Sequence, residues 1–388
     1  MTLVQQFEDR FGHSPLGVWA APGRVNVIGE HTDYNDGFVL PFAIDRATQV
    51  AASVREDSTV RVSSTFSSSG SGSGSGSGEV IISDLDELAA GDVEGWAAYP
   101  VGVLWALRQA GHSVMGMDLL IDSQVPVGAG LSSSAAIECA VAVAANELYG
   151  LGLSGSDLAL IGQRAENEMV GAPTGLMDQS ASLLGKLGHA VFLDCRTQHA
   201  ELVPLPLQEN GLALLVIDTR VSHSHATGGY ASRRRACEVG ADVMGVPALR
   251  DLSEEDLEEA SGLLDEETFR RVRHVVTENA RVQAAVELLR NEGPRAIAPL
   301  LDASHVSMRD DFEISCAELD LAVESSRKAG ALGSRMTGGG FGGSAIALVQ
   351  LADLDRVGAA VMAAFAAAGF TEPAIFAVSP ADGAGRVS

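Results

Sequence analysis

The chain has 388 residues, 46% of them apolar, which is enough to bury a large core and by size suggests two lobes. Its 51 Asp and Glu against 26 Lys and Arg give a formal net charge of −25, and Lys186 and Lys328 are its only lysines, so neither nucleic acid nor an anionic membrane is expected as a partner. Cys139, Cys195, Cys237 and Cys316 are widely spaced with no CxxC pair, which speaks against a disulfide framework and against a zinc site. No apolar run reaches the roughly 18 residues of a membrane span. The start, MTLVQQFEDRFGH, lacks the order of a secretory signal, and a cytoplasmic protein is expected.

In chain order, a strand is predicted at VWAA near Val18, followed by GRVNVIGEHTDYNDG from Gly23. There VNVI needs burial, yet Arg24, Glu30, His31, Asp33 and Tyr34 crowd beside it, so the polar group is anchored to the core and points into a cleft. Strands follow at FVLPFAI, TVRVSS and EVIIS. The last two flank SSTFSSSGSGSGSGSG, whose residues 67–78 read as a flexible Ser/Gly loop. A helix over Trp96–Gln109 and a strand at MDLLID lead to VPVGAGLSSSAAIECA from Val125, in which a strand passes through glycines and three serines into an Ala-rich helix over Ser133–Tyr149. Small residues at a helix N-terminus suit an anion, although one serine acting as an N-cap is the plainer reading. No GK[ST] follows, so this is not a Walker loop.

A helix is predicted from Ser156 to Val170, and in RAENEMVGAPTGLMDQ both Glu166 and Asp178 read by default as surface or capping residues. Strands resume at HAVFLD and ALLVID. The chain is then mostly helical from Gly228 to Lys328, with SEEDLEEA a solvated face and Arg233–Arg235 more readily a helix surface than an anion patch. His223 and His225 in HSHATGGY have no third metal ligand beside them and stay unassigned. In MTGGGFGGSAIALV, Gly338, Gly340 and Gly343 satisfy GxGxxG, but a strand, AIALV, follows where a dinucleotide fold needs a helix. The glycines suit close backbone approach to a nucleotide or to the GAGLSSS segment.

These three motifs, in this order from Ala21 to Gly343, resemble the GHMP kinase superfamily, and GRVNVIGEHTDYNDG is similar to the signature of its galactokinase family. The resemblance implies an α+β, two-lobed GHMP kinase fold with mixed sheets and packed helices in each lobe and the active site in the cleft between them. The lobes are expected at residues 1–196 and 197–388. It implies ATP as co-substrate, Mg2+ as cofactor and transfer of the γ-phosphate to the C1 hydroxyl of α-D-galactose by a monomer. Asp178 and Arg24 are then catalytic, and Glu30, His31, Thr32, Asp33, Gly175 and Tyr230 bind the sugar. Gly128, Ala129, Gly130, Leu131, Ser132, Ser133 and Ser134 bind ATP together with Gly338, Gly339 and Gly340, while Ser134 and Glu166 hold the metal. The alternatives are kinase activity on N-acetylgalactosamine or another sugar, and a non-catalytic galactose and ATP sensor. The joint presence of Arg24, Glu166 and Asp178 speaks against the sensor, which has no need of transfer groups.

Overall fold

The computed structural model describes residues 1–65, 78–222 and 226–388. The Ser/Gly loop expected at 67–78, apart from its last residue, and the pair His223 and His225 lie outside the described residues. Helix α1 (Leu3–Phe11) precedes strands β1 (Gly17–Asn26), β2 (Phe38–Val39), β3 (Pro41–Val54), β4 (Thr59–Ser64) and β5 (Ile81–Asp84). Helix α2 (Ala98–Gln109) and β6 (Met117–Ser123) follow, then α3 (Ser133–Leu148), α4 (Gly155–Arg164) and α5 (Met177–Leu184). The hairpin β7 (His189–Asp194) and β8 (His199–Pro204) leads to β9 (Leu212–Ser222). Five helices come next: α6 (Ala226–Met244), α7 (Leu257–Leu263), α8 (Glu266–Asn291), α9 (Ala298–Ser307) and α10 (Ala317–Lys328). The chain closes with β10 (Gly333–Thr337), β11 (Gly342–Gln350), α11 (Leu354–Ala368), β12 (Ala374–Val378) and β13 (Gly385–Arg386).

Three sheets result, ordered β13-β1-β3-β6-β4-β5, β10-β11-β9-β12 and β2-β7-β8. All pairings are antiparallel except β4 with β6. Side-chain alternation assigns the faces. In β3, Val50 and Ala52 pack with α2 and α3, while Ala51 packs with Phe7 and Phe11 of α1 on the other side. The apolar run ALLVI of β9 is buried on both faces. Leu214 and Val216 join Val25, Leu40 and Phe42 of the first sheet, and Leu215 and Ile217 join helices α6, α8, α10 and α11. The division expected after Arg196 falls in the turn of the β7–β8 hairpin, and β13 returns to pair with β1, so strand pairing runs across that residue in both directions.

Two local departures from regular geometry position the site. The β1–β3 register shifts between Pro22 and Arg24, because Gly23 lies against the Leu131 carbonyl, where any Cβ would collide. The bulge interrupts the ladder at Gly23 and sets Arg24 opposite Ala43, and the Arg24 N–H donates to Leu131 O at 3.1 Å. The helix expected to Val170 is α-helical only to Arg164 and then widens into a π-turn over Ala165–Val170 that ends at Gly171, in the left-handed region at φ 79°. The extra residue in that turn sets Glu166 facing inward, where it is buried.

On the α1 side of the large sheet, a second hollow of about 430 Å³ is lined by His13, Arg55, Arg61 and Asp118 and contains none of the motif residues. Buried Asp118 accepts from His13 Nε2 at 2.8 Å and from Arg61 Nε at 2.6 Å, with Arg55 Nη1 at 3.3 Å. Asp118→Ala removes the acceptor that Arg55, Arg61 and His13 share and is expected to lower the unfolding free energy by about 3 kcal/mol, read by urea denaturation. A change below about 0.5 kcal/mol would mean that the three are satisfied by water.

Candidate active site

A cavity of about 210 Å³ opens where the first motif, the α4–α5 segment, α6 and the third motif meet. Arg24, Glu30, His31, Asp33, Thr174, Gly175, Met177, Asp178, Tyr230, Gly338 and Gly339 line it. Most of the residues expected at a sugar and transfer site are therefore adjacent, although they come from positions more than 300 residues apart.

On one wall, Asp178 sits half-buried in the first turn of α5. Arg24 donates through Nε to Asp178 Oδ1 at 2.8 Å and through Nη1 to the Gly130 carbonyl at 2.5 Å. Ser132 Oγ donates to Asp178 Oδ2 at 2.5 Å. Ser132 lies in the left-handed region at φ 56° and makes no cap bond, so the plain N-cap reading of the serines fails. Its hydroxyl serves the carboxylate instead.

Behind this wall, Glu166 Oε1 accepts from Ser134 Oγ at 3.2 Å, and its Oε2 accepts from Thr174 Oγ1 at 2.8 Å and Gln179 Nε2 at 2.9 Å. The same Gln179 amide donates to fully buried Glu138 at 2.9 Å. Burial, then the charge of Asp178, raises the Glu166 pKa, and burial followed by Glu166 raises that of Glu138. Oxygen donors around an under-compensated carboxylate fit a hard cation. Among the described residues no group of three or more His, Cys, Asp or Glu forms a metal cluster.

The opposite wall comes from the first motif. Asp33 lies against Gly175, where a Cβ would overlap the carboxylate, so glycine is needed for this contact. Enclosure by protein, then the nearby Asp178, pushes the Asp33 pKa up to about 7. Glu30 accepts from Asn26 Nδ2 at 2.8 Å on Oε2 and from the Gly338 N–H at 2.9 Å on Oε1, with Arg335 Nη2 at 3.3 Å. His31 is engaged at both nitrogens: Nε2 donates to Gly339 O at 3.1 Å, which leaves Nδ1 to accept from Tyr34 Oη at 2.7 Å. Burial pushes its pKa down to about 3, in keeping with a neutral ring. A ligand reaches those nitrogens only by displacing Tyr34 or Gly339. Tyr230 packs on this ring at 4.8 Å between centroids.

Four of the expected residues are engaged within the protein. Thr32 is fully buried and turns inward, donating to Gly29 O and Phe38 O, so it shapes the loop without lining the cavity. Gly340 is covered by the Ile314 carbonyl. Ala129 and Leu131 are buried, and their carbonyls accept from Ser344 Oγ and the Arg24 N–H. Gly130 and Gly338, both at positive φ, meet backbone to backbone, so the third motif closes on the second one. Gly128, also at positive φ, has open space beside it, and Ser133 and Ser134 begin α3 with partial exposure. Of the arginine run, Arg233 donates to Phe312 O and Glu313 O and Arg234 to Pro173 O, so two of the three tie segments together. Sequence reasoning missed Thr174, Gln179, Glu138 and Arg335. Thr174 was the most accessible of these, since it stands between Glu166 and Gly175.

A family model described as the galactokinase galactose-binding signature matches residues 5–54, and models of the GHMP kinase N-terminal and C-terminal domains match residues 98–186 and 284–367. A galactokinase of Streptomyces coelicolor is 52% identical over 388 residues, covering 100% of this chain and 98% of that one. The chain belongs to the galactokinase family. The crystal structure of Lactococcus lactis galactokinase complexed with galactose superposes with a TM-score of 0.91 at 33% identity, covering 99% of both chains. The mevalonate kinase of Methanococcus jannaschii shares the fold, with a TM-score of 0.65 at 15% identity over 95% of this chain and 99% of that one. This galactokinase-family enzyme is therefore a phosphotransferase with the α+β GHMP kinase fold.

Asp33 gives the site a pH signature. Its unfolded-state carboxyl ionises near 3.8 and its folded-state carboxyl near 7, so between these values the native state holds the extra proton and stability falls as pH rises. Asp33→Asn is expected to remove that slope and to stabilise the protein at pH 8 by on the order of 2–4 kcal/mol relative to pH 4, measured as the difference between variant and parent in urea unfolding. Parallel stability curves for the two proteins would show that Asp33 is ionised throughout.

Proposed function

We propose that the enzyme transfers the γ-phosphoryl group of ATP to the C1 hydroxyl of α-D-galactose, giving galactose 1-phosphate and ADP, and that the residues of the cavity divide this work between its two walls. The observation that carries the reading is the Asp178 carboxylate, anchored by Arg24 and Ser132 and facing the cavity opposite Asp33 and Glu30. Asp33 accepts sugar hydroxyls together with Glu30, which lines the cavity although it is almost fully buried, and Tyr230 closes the pocket over them. In this arrangement Asp178 orients the C1 hydroxyl and takes its proton after the oxygen has begun to bond to phosphorus, since phosphoryl transfer is largely dissociative. Arg24 answers the charge building on the transferring group and links it to the loop carrying Gly130.

ATP phosphates are read to lie over Gly128 to Ser134, where small residues and the first amides of α3 leave room for them. Ser134 and Glu166 would hold Mg2+, with phosphate oxygens and waters as the remaining ligands. When bound, the ion would supply positive charge against the nucleotide's phosphates, which a wall containing Glu166 and Asp178 does not offer. No helix among the described residues is long and apolar enough to cross a membrane. A cytoplasmic monomer is the accompanying reading.

Asp178→Asn keeps a hydrogen-bonding side chain beside Arg24 and loses the proton acceptor. Turnover is expected to fall by roughly 10²-fold or more while galactose KM moves by less than about threefold, in coupled ADP-release assays with saturating galactose. Near-parental turnover would remove Asp178 from the base role. Glu166→Ala is expected to raise the magnesium concentration for half-maximal activity by roughly tenfold. An unchanged magnesium titration would place the ion elsewhere.

A further inference from the structure

The first motif is held from beneath by a helix of the second half of the chain. In α8, His274, Glu278 and Asn279 are buried on one face. His274 Nε2 donates to Glu30 O at 3.1 Å, Glu278 Oε1 accepts from the Gly29 N–H at 2.9 Å, and Asn279 Oδ1 accepts from the Phe38 N–H at 2.9 Å. Both ends of the loop from Gly29 to Phe38 are thereby pinned by one helix about 240 residues away.

Arg335 connects this clamp to the Glu30 side chain. It is fully buried in β10, its Nη1 donates to Val27 O at 2.8 Å, and its Nη2 lies 3.3 Å from Glu30 Oε1 and 3.8 Å from Glu278 Oε1. Glu278 is held in turn by Ser304 Oγ at 2.7 Å and Arg281 Nε at 2.7 Å. Two acids and two arginines thus form a charge-balanced buried row running Glu30, Arg335, Glu278, Arg281. Arg335 is shared between two carboxylates, and only one of them reaches the cavity. Neutralising Glu278 leaves Arg335 to draw on Glu30 alone, and the Glu30 carboxylate then turns away from the sugar.

We propose that Glu278 and Arg335 are positioning residues for sugar recognition: they fix the direction of the Glu30 carboxylate and its backbone, so that α8 sets the affinity for galactose without touching it. This rests on the reading that Glu30 contacts the sugar. A hydroxyl-reading site depends on such support, because a small misdirection of one carboxylate leaves a buried acceptor unpaired.

The test uses the full chain with Glu278→Gln, an isosteric change that still accepts from the Gly29 N–H. Galactose KM is expected to rise at least about tenfold, with kcat and ATP KM within about threefold, and calorimetric galactose binding without ATP is expected to weaken by the same factor. A fall in kcat alone, proportional to lost folded protein, overturns the proposal, as does an unchanged galactose KM. If Glu278→Gln does not fold, Ser304→Ala, which removes one donor from Glu278, is expected to raise galactose KM roughly two- to fivefold, and no rise overturns the proposal. Glu30→Ala separates the two readings. If it leaves galactose KM unmoved, the contact assigned to Glu30 is wrong. If it raises KM while Glu278→Gln does not, only the positioning role is lost.

Discussion

Arg24 is where the charge balance and the geometry of the site meet. Its guanidinium spans from Asp178 on α5 to the carbonyl of Gly130 in the phosphate loop, and its own backbone N–H is bound to Leu131 in that loop. One side chain therefore sets the spacing between the Asp178 carboxylate and the glycine–serine loop before α3. A lysine does not replace it, because a single ammonium cannot keep the fixed fork that serves a carboxylate and a carbonyl in different directions. The bulge at Gly23 is the backbone's part of this arrangement: it breaks the β1–β3 register just before Arg24, where the Arg24 N–H meets the Leu131 carbonyl.

Glycine performs a second task in the same place. Gly175 admits the Asp33 carboxylate, Gly23 admits the Leu131 carbonyl, and Gly338 admits the Gly130 carbonyl. At each contact a Cβ on one partner would force two segments of the site apart. The three motifs meet through bare backbone, and the cavity is small because they meet so closely.

Much of this was legible from local signals. Apolar runs gave the strands of the large sheet and of β9 and β11, and AIALV after the glycines correctly excluded a dinucleotide fold. The clustering of Arg24, Glu30, His31 and Asp33 beside VNVI indicated a cleft. What stayed hidden depends on partners distant in sequence. Strand β10 reads as polar, GSRMT, yet every residue in it is buried, because Ser334 and Arg335 find hydrogen-bond partners in strands and loops up to 309 residues away. His31 looked like a free ligand since nothing local shows that Tyr34 and Gly339 occupy its nitrogens. Thr32 looked like its neighbours although its partners, Gly29 O and Phe38 O, lie close by in sequence, because its inward turn depends on how the loop closes. Helix α1 was a different kind of omission: its capping box from Thr2 to Gln5 and the i, i+4 pair Phe7 and Phe11 were available in the sequence.

The remaining step concerns the crowding of acids. Glu30, Asp33 and Asp178 face one small cavity, with Glu166 and Glu138 behind it, and the arginines that answer them directly are Arg24 and Arg335. Such a wall is costly to hold ionised, which is why Asp33 and Glu166 keep protons more readily than free carboxylates do. A neutral ligand rich in hydroxyl donors relieves that cost, since each donated hydrogen bond favours the ionised acceptor. An anionic sugar adds to the cost instead. The arrangement therefore favours an uncharged, hydroxyl-rich ligand over an anionic one on the wall of Asp33, and it leaves Arg24 as the arginine that lines the cavity with these acids.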